Sequence, residues 1–212
     1  MEINEILELK KLIIKYGAML GEKNMTPATS GNISVRAGDN VLISASGTCL
    51  YDLSDEEIVL IDKDCNVIDG SKKASSEKNL HNAIYKIRPD FNAIVHCHSP
   101  YLSAFAVCHK PLSAPIISEN VFYFGEIPVA DYALPGSQKL VENTAKFFEN
   151  HNAVLLANHG IVIAADSLKN AYYLMDTAET CAKIYINSLI LGGIQELSQE
   201  DVEEIYRLRN SV

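Results

Sequence analysis

Between residues 77 and 98 the chain carries a carboxylate, Glu77, directly after the pair Ser75-Ser76, and two histidines, His96 and His98, on either side of Cys97. The run 92–98 is apolar and β-branched, so it reads as a strand. A period of two then sends His96 and His98 to one face and Cys97 to the other. Two imidazoles facing one point suit zinc or a neighbouring first-row ion, and a catalytic site normally adds a third protein ligand and keeps an open position. His159 is the candidate third ligand, because 153–160 reads as a second buried strand ending in His and a Gly turn. A lone histidine in an apolar strand is more often a hydrogen-bonded core residue. The pair shifts that balance: neutral imidazoles on one buried face compete for partners and protonated ones repel, so a shared cation accounts for both. His81, four residues after Glu77, is expected to pack or to support the site, and His109 and His151 to be solvated in polar turns.

Three loops of small residues accompany these groups. Thr29-Ser30-Gly31-Asn32, Ser44-Ala45-Ser46-Gly47-Thr48 and Ser75-Ser76 offer hydroxyls and approachable backbone N–H groups, which is what phosphate oxygens need. A helix starting after Ser75-Ser76 would aim its positive end at the same anion. Each loop alone is an ordinary turn or an N-cap. Their occurrence together beside a metal site is what points to phosphate.

The elements that must position these residues are readable from periodicity. Residues 6–20 repeat apolar side chains at helical spacing. Residues 32–36 and 41–44 alternate around Ala37-Gly38-Asp39-Asn40, a hairpin signal, and 58–61 and 66–68 flank a second turn at 62–65. Helices are expected over 76–87, ending before Pro89, and over 100–108, 138–148 and 168–191, while 115–126 is ambiguous. Short hairpin strands between helices predict a single-domain α/β fold over 1–212, with a mostly antiparallel central sheet covered by helices.

Composition bounds the partners. A chain of 212 residues with 48% hydrophobic content buries a full core, and no interior stretch resembles a linker. The net charge of -9 and the lack of a Lys/Arg cluster argue against nucleic acid and acidic membranes. Residues 1–11 are charged, no run is long enough to span a bilayer, and five cysteines lack a CxxC spacing, so a reduced, cytoplasmic protein is expected.

Thr29-Ser30-Gly31-Asn32, Ser46-Gly47, Ser75-Ser76-Glu77, His96-Cys97-His98 and Asn158-His159-Gly160, in that order over nearly the whole chain, resemble the class II aldolase/adducin family. The resemblance implies one Zn2+ per subunit held by His96, His98 and His159, with Glu77 as a displaceable fourth ligand and acid/base. It implies phosphate contacts at Thr29, Gly31, Asn32, Ser46, Gly47, Ser75 and Ser76. The implied reaction is cleavage of a ketose 1-phosphate, L-fuculose 1-phosphate foremost, to dihydroxyacetone phosphate and L-lactaldehyde, and the reverse condensation. Deoxyribulose and methylthioribulose 1-phosphates are alternative substrates.

Other members resemble this chain but differ in chemistry: 4-epimerases typically carry Asp where Glu77 stands, and dehydratases and decarboxylases differ near positions 77 and 119, which puts Glu119 under attention. A non-catalytic scaffold, as in adducin, fits poorly with retained histidines and Glu77. The resemblance also implies a homotetramer with sites between subunits, which the apolar segments 121–132 and 168–191 can serve. A tyrosine is expected to act at the C4 oxygen, with Tyr123 near position 117 and Tyr206 in the tail as the available groups.

Overall fold

The computed structural model describes residues 3 to 211. Met1 and Glu2, part of the charged stretch 1–11, and Val212, the end of the single-domain span, lie outside it. The chain opens with helix α1 (Ile3–Glu22), which buries Ile13, Tyr16, Gly17 and Leu20, a spacing that keeps all four on one stripe. Strands β1 (Asn32–Ala37) and β2 (Asn40–Ser44) form the expected hairpin around Gly38, followed by β3 (Ile58–Ile61) and β4 (Val67–Asp69). Helix α2 (Lys78–Ile87) leads to β5 (Ala93–Cys97), then come α3 (Pro100–Val107), α4 (Ser118–Tyr123) and the two-residue β6 (Val129–Ala130). Helix α5 (Gln138–Thr144) continues as a 3-10 turn over Ala145–Glu149. The hairpin of β7 (Ala153–Leu156) and β8 (Gly160–Ala165), the long α6 (Leu168–Ile190) and α7 (Gln199–Arg209) complete the chain.

The eight strands form one sheet in the order β4-β3-β2-β1-β5-β8-β7-β6. Every pairing is antiparallel except β6 with β7, which is parallel. The expected antiparallel α/β architecture is therefore present, with one parallel edge pair that periodicity did not announce.

Strand alternation divides the core in two. In β5, Val95 and Cys97 join the layer of α1, α3 and α6, whereas Ile94 faces the layer of α2 and α5. His96 follows Ile94 by two residues and takes the α2 side. Both faces of the sheet are covered, which explains why β7 and β8 are apolar throughout.

Several boundaries differ from the sequence reading. The second helix starts at Lys78, because Ser75-Ser76-Glu77 forms a turn in which the Lys78 N–H reaches the Ser75 carbonyl at 3.2 Å. The ambiguous stretch 115–126 contains a short helix at 118–123, and α7 was not anticipated.

Candidate metal centre and anion pocket

His96 stands near the end of the central strand β5, and its tautomer is fixed by geometry. Its Nδ1 lies 2.9 Å from the Ile161 carbonyl of β8, an acceptor only, so Nδ1 carries the proton and Nε2 presents a lone pair. His98 is one residue beyond the strand, yet its Nε2 comes within 3.0 Å of His96 Nε2. His159 sits in the turn of the β7–β8 hairpin and not within the strand itself. Its N–H closes the turn onto Leu156 at 3.0 Å, and Asn158 before it adopts φ +55°, a conformation Asn tolerates well. The three rings contact one another with centroids 4.6 to 4.9 Å apart, and one nitrogen from each falls within 4.8 Å of the others.

Glu77 completes the cluster from the turn before α2. Its carboxylate is 3% exposed, with Oε2 at 3.4 Å from His96 Nε2 and Oε1 at 3.7 Å from His159 Nε2. Asn32 Nδ2 donates to Oε2 at 3.0 Å. These contacts are not ion pairs at neutral pH. Burial pushes His96 down to about 3, and burial followed by the neighbouring His96 pushes His159 down to about 4. His98 is lowered by burial as well, against the pull of Glu77. The His96 Nε2 lone pair faces Glu77 Oε2, which also presents a lone pair, and Glu77 Oε1 and His159 Nδ1 are buried without hydrogen-bond partners. A divalent cation resolves that conflict. Three imidazole nitrogens with a carboxylate form a donor set suited to zinc and its first-row neighbours.

The three small-residue loops border the same cavity. A hollow of about 170 Å³ is lined by Thr29, Ser30, Gly31, Asn32, Ser46, Gly47, Ser75, Ser76 and Glu77 together with His96, His98 and His159. Every metal and phosphate residue expected from the sequence is thus brought to one place, and Pro135, which carried no sequence signal, joins them. Glycine is required at position 31: φ is +78°, and a Cβ would meet the His96 carbonyl oxygen at 2.6 Å. Ser75 Oγ accepts the Glu77 N–H at 3.2 Å, which shapes the turn that presents the carboxylate. Among the described residues no Lys or Arg lines this hollow, and its hydroxyls and backbone N–H groups are the donors it offers.

The remaining candidates lie outside this hollow in the protomer. Tyr123 lines a different hollow, of about 430 Å³, with Asp90, Asn152, Asn170 and Tyr173, a set without histidine or cysteine. Tyr206 lies on α7 against α4, its hydroxyl beside Gly125. Neither tyrosine borders the histidine cavity within the protomer, because both belong to the α4–α7 side of the chain. Glu119 lines a third hollow with Asp176 and Cys181 and is likewise outside the cluster. His109, expected to be solvated, is exposed but donates through Nε2 to Asn158 Oδ1 at 2.7 Å, next to His159. His151 Nδ1 reaches the Glu126 carbonyl at 3.3 Å.

Comparison with known proteins agrees with this geometry. Residues 11–186 match the family described as Class II Aldolase and Adducin N-terminal domain. The chain is 34% identical over 196 residues to 5-deoxy-D-ribulose 1-phosphate aldolase of Bacillus thuringiensis serovar kurstaki, covering 91% of each chain. It is 35% identical over 204 residues to 3-oxo-tetronate 4-phosphate decarboxylase of Haemophilus influenzae, covering 94% of this chain and 96% of the relative. Among solved structures, an L-fuculose 1-phosphate aldolase superposes with a TM-score of 0.87 at 36% identity, covering 93% of this chain and 94% of the other. With its antiparallel sheet and clustered histidines, the chain belongs to the class II aldolase and adducin family and stands with that family's aldolases.

Proposed function

We propose that the protein cleaves a ketose 1-phosphate between C3 and C4, with L-fuculose 1-phosphate as substrate and dihydroxyacetone phosphate and L-lactaldehyde as products. The observation that carries this reading is the buried Glu77 carboxylate beside three converging imidazoles, in one cavity with the small-residue loops. His96, His98 and His159 hold the ion, zinc in this reading. When bound, it supplies Lewis-acid stabilisation for the negative charge that cleavage leaves on the three-carbon fragment.

The chain's own groups do the rest. The loops at 29–32, 46–47 and 75–76 bind the phosphate through hydroxyls and N–H groups, fixing the ketose with its C3 toward Glu77. Cleavage moves the C3–C4 electron pair onto C3 as the C4 hydroxyl passes its proton to the Glu77 carboxylate and becomes a carbonyl. Glu77 then delivers a proton to C3, and in the condensation direction it removes one. Asn32 Nδ2, donating to Oε2 at 3.0 Å, fixes the direction in which the buried carboxylate faces.

The same reading includes a homotetramer with sites between subunits. It is supported by exposed Tyr123, Tyr132, Leu134 and Tyr173 and by the exposed end of α6 at Leu189, Ile190 and Leu191. A cytoplasmic location is supported by five unpaired thiols, and no described helix is long and apolar enough to cross a membrane. The test is incubation of zinc-loaded protein with L-fuculose 1-phosphate and enzymatic detection of dihydroxyacetone phosphate. Release of that product alongside lactaldehyde is expected. If 5-deoxy-D-ribulose 1-phosphate is cleaved instead, the aldehyde assignment is wrong, and carbon dioxide release from a 3-oxo acid phosphate with no aldol cleavage sinks the reaction assignment.

A further inference from the structure

His81, one turn into α2, has no role in the site as described so far, yet its surroundings assign it one. The ring is fully buried. Its Nδ1 lies 2.7 Å from Ser34 Oγ, and Ser34 Oγ lies 2.9 Å from Tyr85 Oη, also on α2. Counting protons along this chain fixes the tautomer. The Tyr85 hydroxyl has Ser34 Oγ as its acceptor, so the Ser34 proton goes to its other neighbour, His81 Nδ1. With Nδ1 accepting, a neutral His81 carries its proton on Nε2. The opposite direction would leave the Tyr85 hydroxyl proton without an acceptor in the core.

His81 is neutral: burial lowers it to about 3, against the pull of Glu77 and with the push of His96. Nε2 is therefore a single N–H donor, and it has no partner. Glu77 Oε1 and Asn32 Oδ1 are likewise buried without hydrogen-bond partners, and Glu77 is tied to His81 by the His81 N–H, which donates to the Glu77 carbonyl at 3.2 Å, and by the pull of its carboxylate on the ring. A charged carboxylate is the stronger acceptor of the two, by roughly a factor of two in hydrogen-bond strength. A buried donor and acceptor left unmade are costly, and a site that uses both explains why both persist.

We propose that His81 is a positioning residue for Glu77: its Nε2–H donates to Glu77 Oε1 when that oxygen is not on the ion, holding the carboxylate at the substrate as a base. Ser34 and Tyr85 set the tautomer that makes this possible. The inference rests on the reading of Glu77 as proton carrier.

Two side chains separate the ends of the ring. Asparagine reaches only as far as Nδ1 and keeps the Ser34 end, whereas glutamine places an amide donor near Nε2. His81→Gln should hold the turnover for exchange of the dihydroxyacetone phosphate C3 proton with solvent near wild type. His81→Asn should lower it about tenfold, the scale at which supporting partners of a metal site act, with KM and zinc affinity unchanged. Imidazole 15N spectra of the metal-free wild type should show His81 protonated at Nε2, and Ser34→Ala should reduce that population and the exchange rate together. A proton on Nδ1, or equal exchange in the Asn and Gln variants, overturns the proposal. Wild-type protein that exchanges no C3 proton overturns the proton-carrier reading and the role built on it, and the substrate-free tautomer spectrum shows which link failed.

Discussion

Replacing Gly31 and Gly47 by alanine separates a backbone requirement from a site requirement. Both glycines adopt left-handed backbone, φ +78° and +76°, which costs an L-residue about 1–2 kcal/mol. Beyond that they differ. A Cβ at position 47 meets nothing within 4 Å, whereas one at position 31 meets the His96 carbonyl oxygen at 2.6 Å and Thr26 Cγ2 at 3.0 Å. The carbonyl belongs to a central strand and cannot rotate away, so overpacking adds about 1–3 kcal/mol. Gly47→Ala should therefore cost about 1–2 kcal/mol and Gly31→Ala about 2–5 kcal/mol. At about 2–4 °C per kcal/mol for a chain of this size, the melting points should fall by ~2–8 °C and ~4–20 °C respectively. Relief of the Gly31 clash moves the peptide that carries His96, so zinc affinity, read by competition with a chromophoric chelator, should drop about tenfold. Gly47→Ala should leave zinc affinity unchanged and raise KM for the sugar phosphate. Equal melting losses with unchanged zinc affinity in both variants would refute the argument that position 31 couples to the metal through His96.

Three further outcomes are expected. The metal-free protein should lose stability as pH falls from 6.5: His81, His96 and His159 are held down to about 3, 3 and 4, so the unfolded chain binds more protons throughout that window. Urea midpoints at pH 7.5, 6 and 5 should decline in order, and a flat series would contradict burial as the cause. Glu179→Gln should destabilise the fold by about 1.5–3 kcal/mol in urea unfolding, because the buried carboxylate accepts the Tyr101 and Leu102 N–H groups at 2.9 Å and caps α3; a loss below about 0.5 kcal/mol would show the cap to be dispensable. Ser46→Ala should raise KM for the sugar phosphate with zinc content unaltered, and an unchanged KM would remove that hydroxyl from the anion pocket.

The sequence carried the cluster further than it carried the elements around it. His96 and His98 share a face because strand period persists one residue past the hydrogen-bonded end of β5, so the alternation argument holds although His98 is outside the strand. His159 was found for the right chemistry in the wrong setting: the apolar run of β7 was plain, but the turn depends on Asn158 at positive φ, which periodicity does not encode. Ser75-Ser76 suggested a helix cap, whereas Glu77 itself occupies that position and the helix starts later. Where the tyrosines lie in the protomer was not legible in the sequence. Their types suited an acid, but only tertiary packing shows that α7 lays Tyr206 against Gly125 and that Tyr123 opens onto another hollow. His81 was read as packing or support, and the proton count that gives it direction needed Ser34 and Tyr85 in space.

The order β1-β5-β8 in the sheet has a consequence for how the protein is made. Asn32, Glu77, His96 and His159 come from four distant stretches and meet only after β1 and β8 have both paired with β5. Contacts of such sequence separation form late, after the loop-closure entropy has been met. The complete site therefore cannot template the chain, and a bound ion stabilises only the finished sheet, by mass action. Metal uptake becomes a clock for the end of folding: it should lag the appearance of helical signal and coincide with burial of the β5 core.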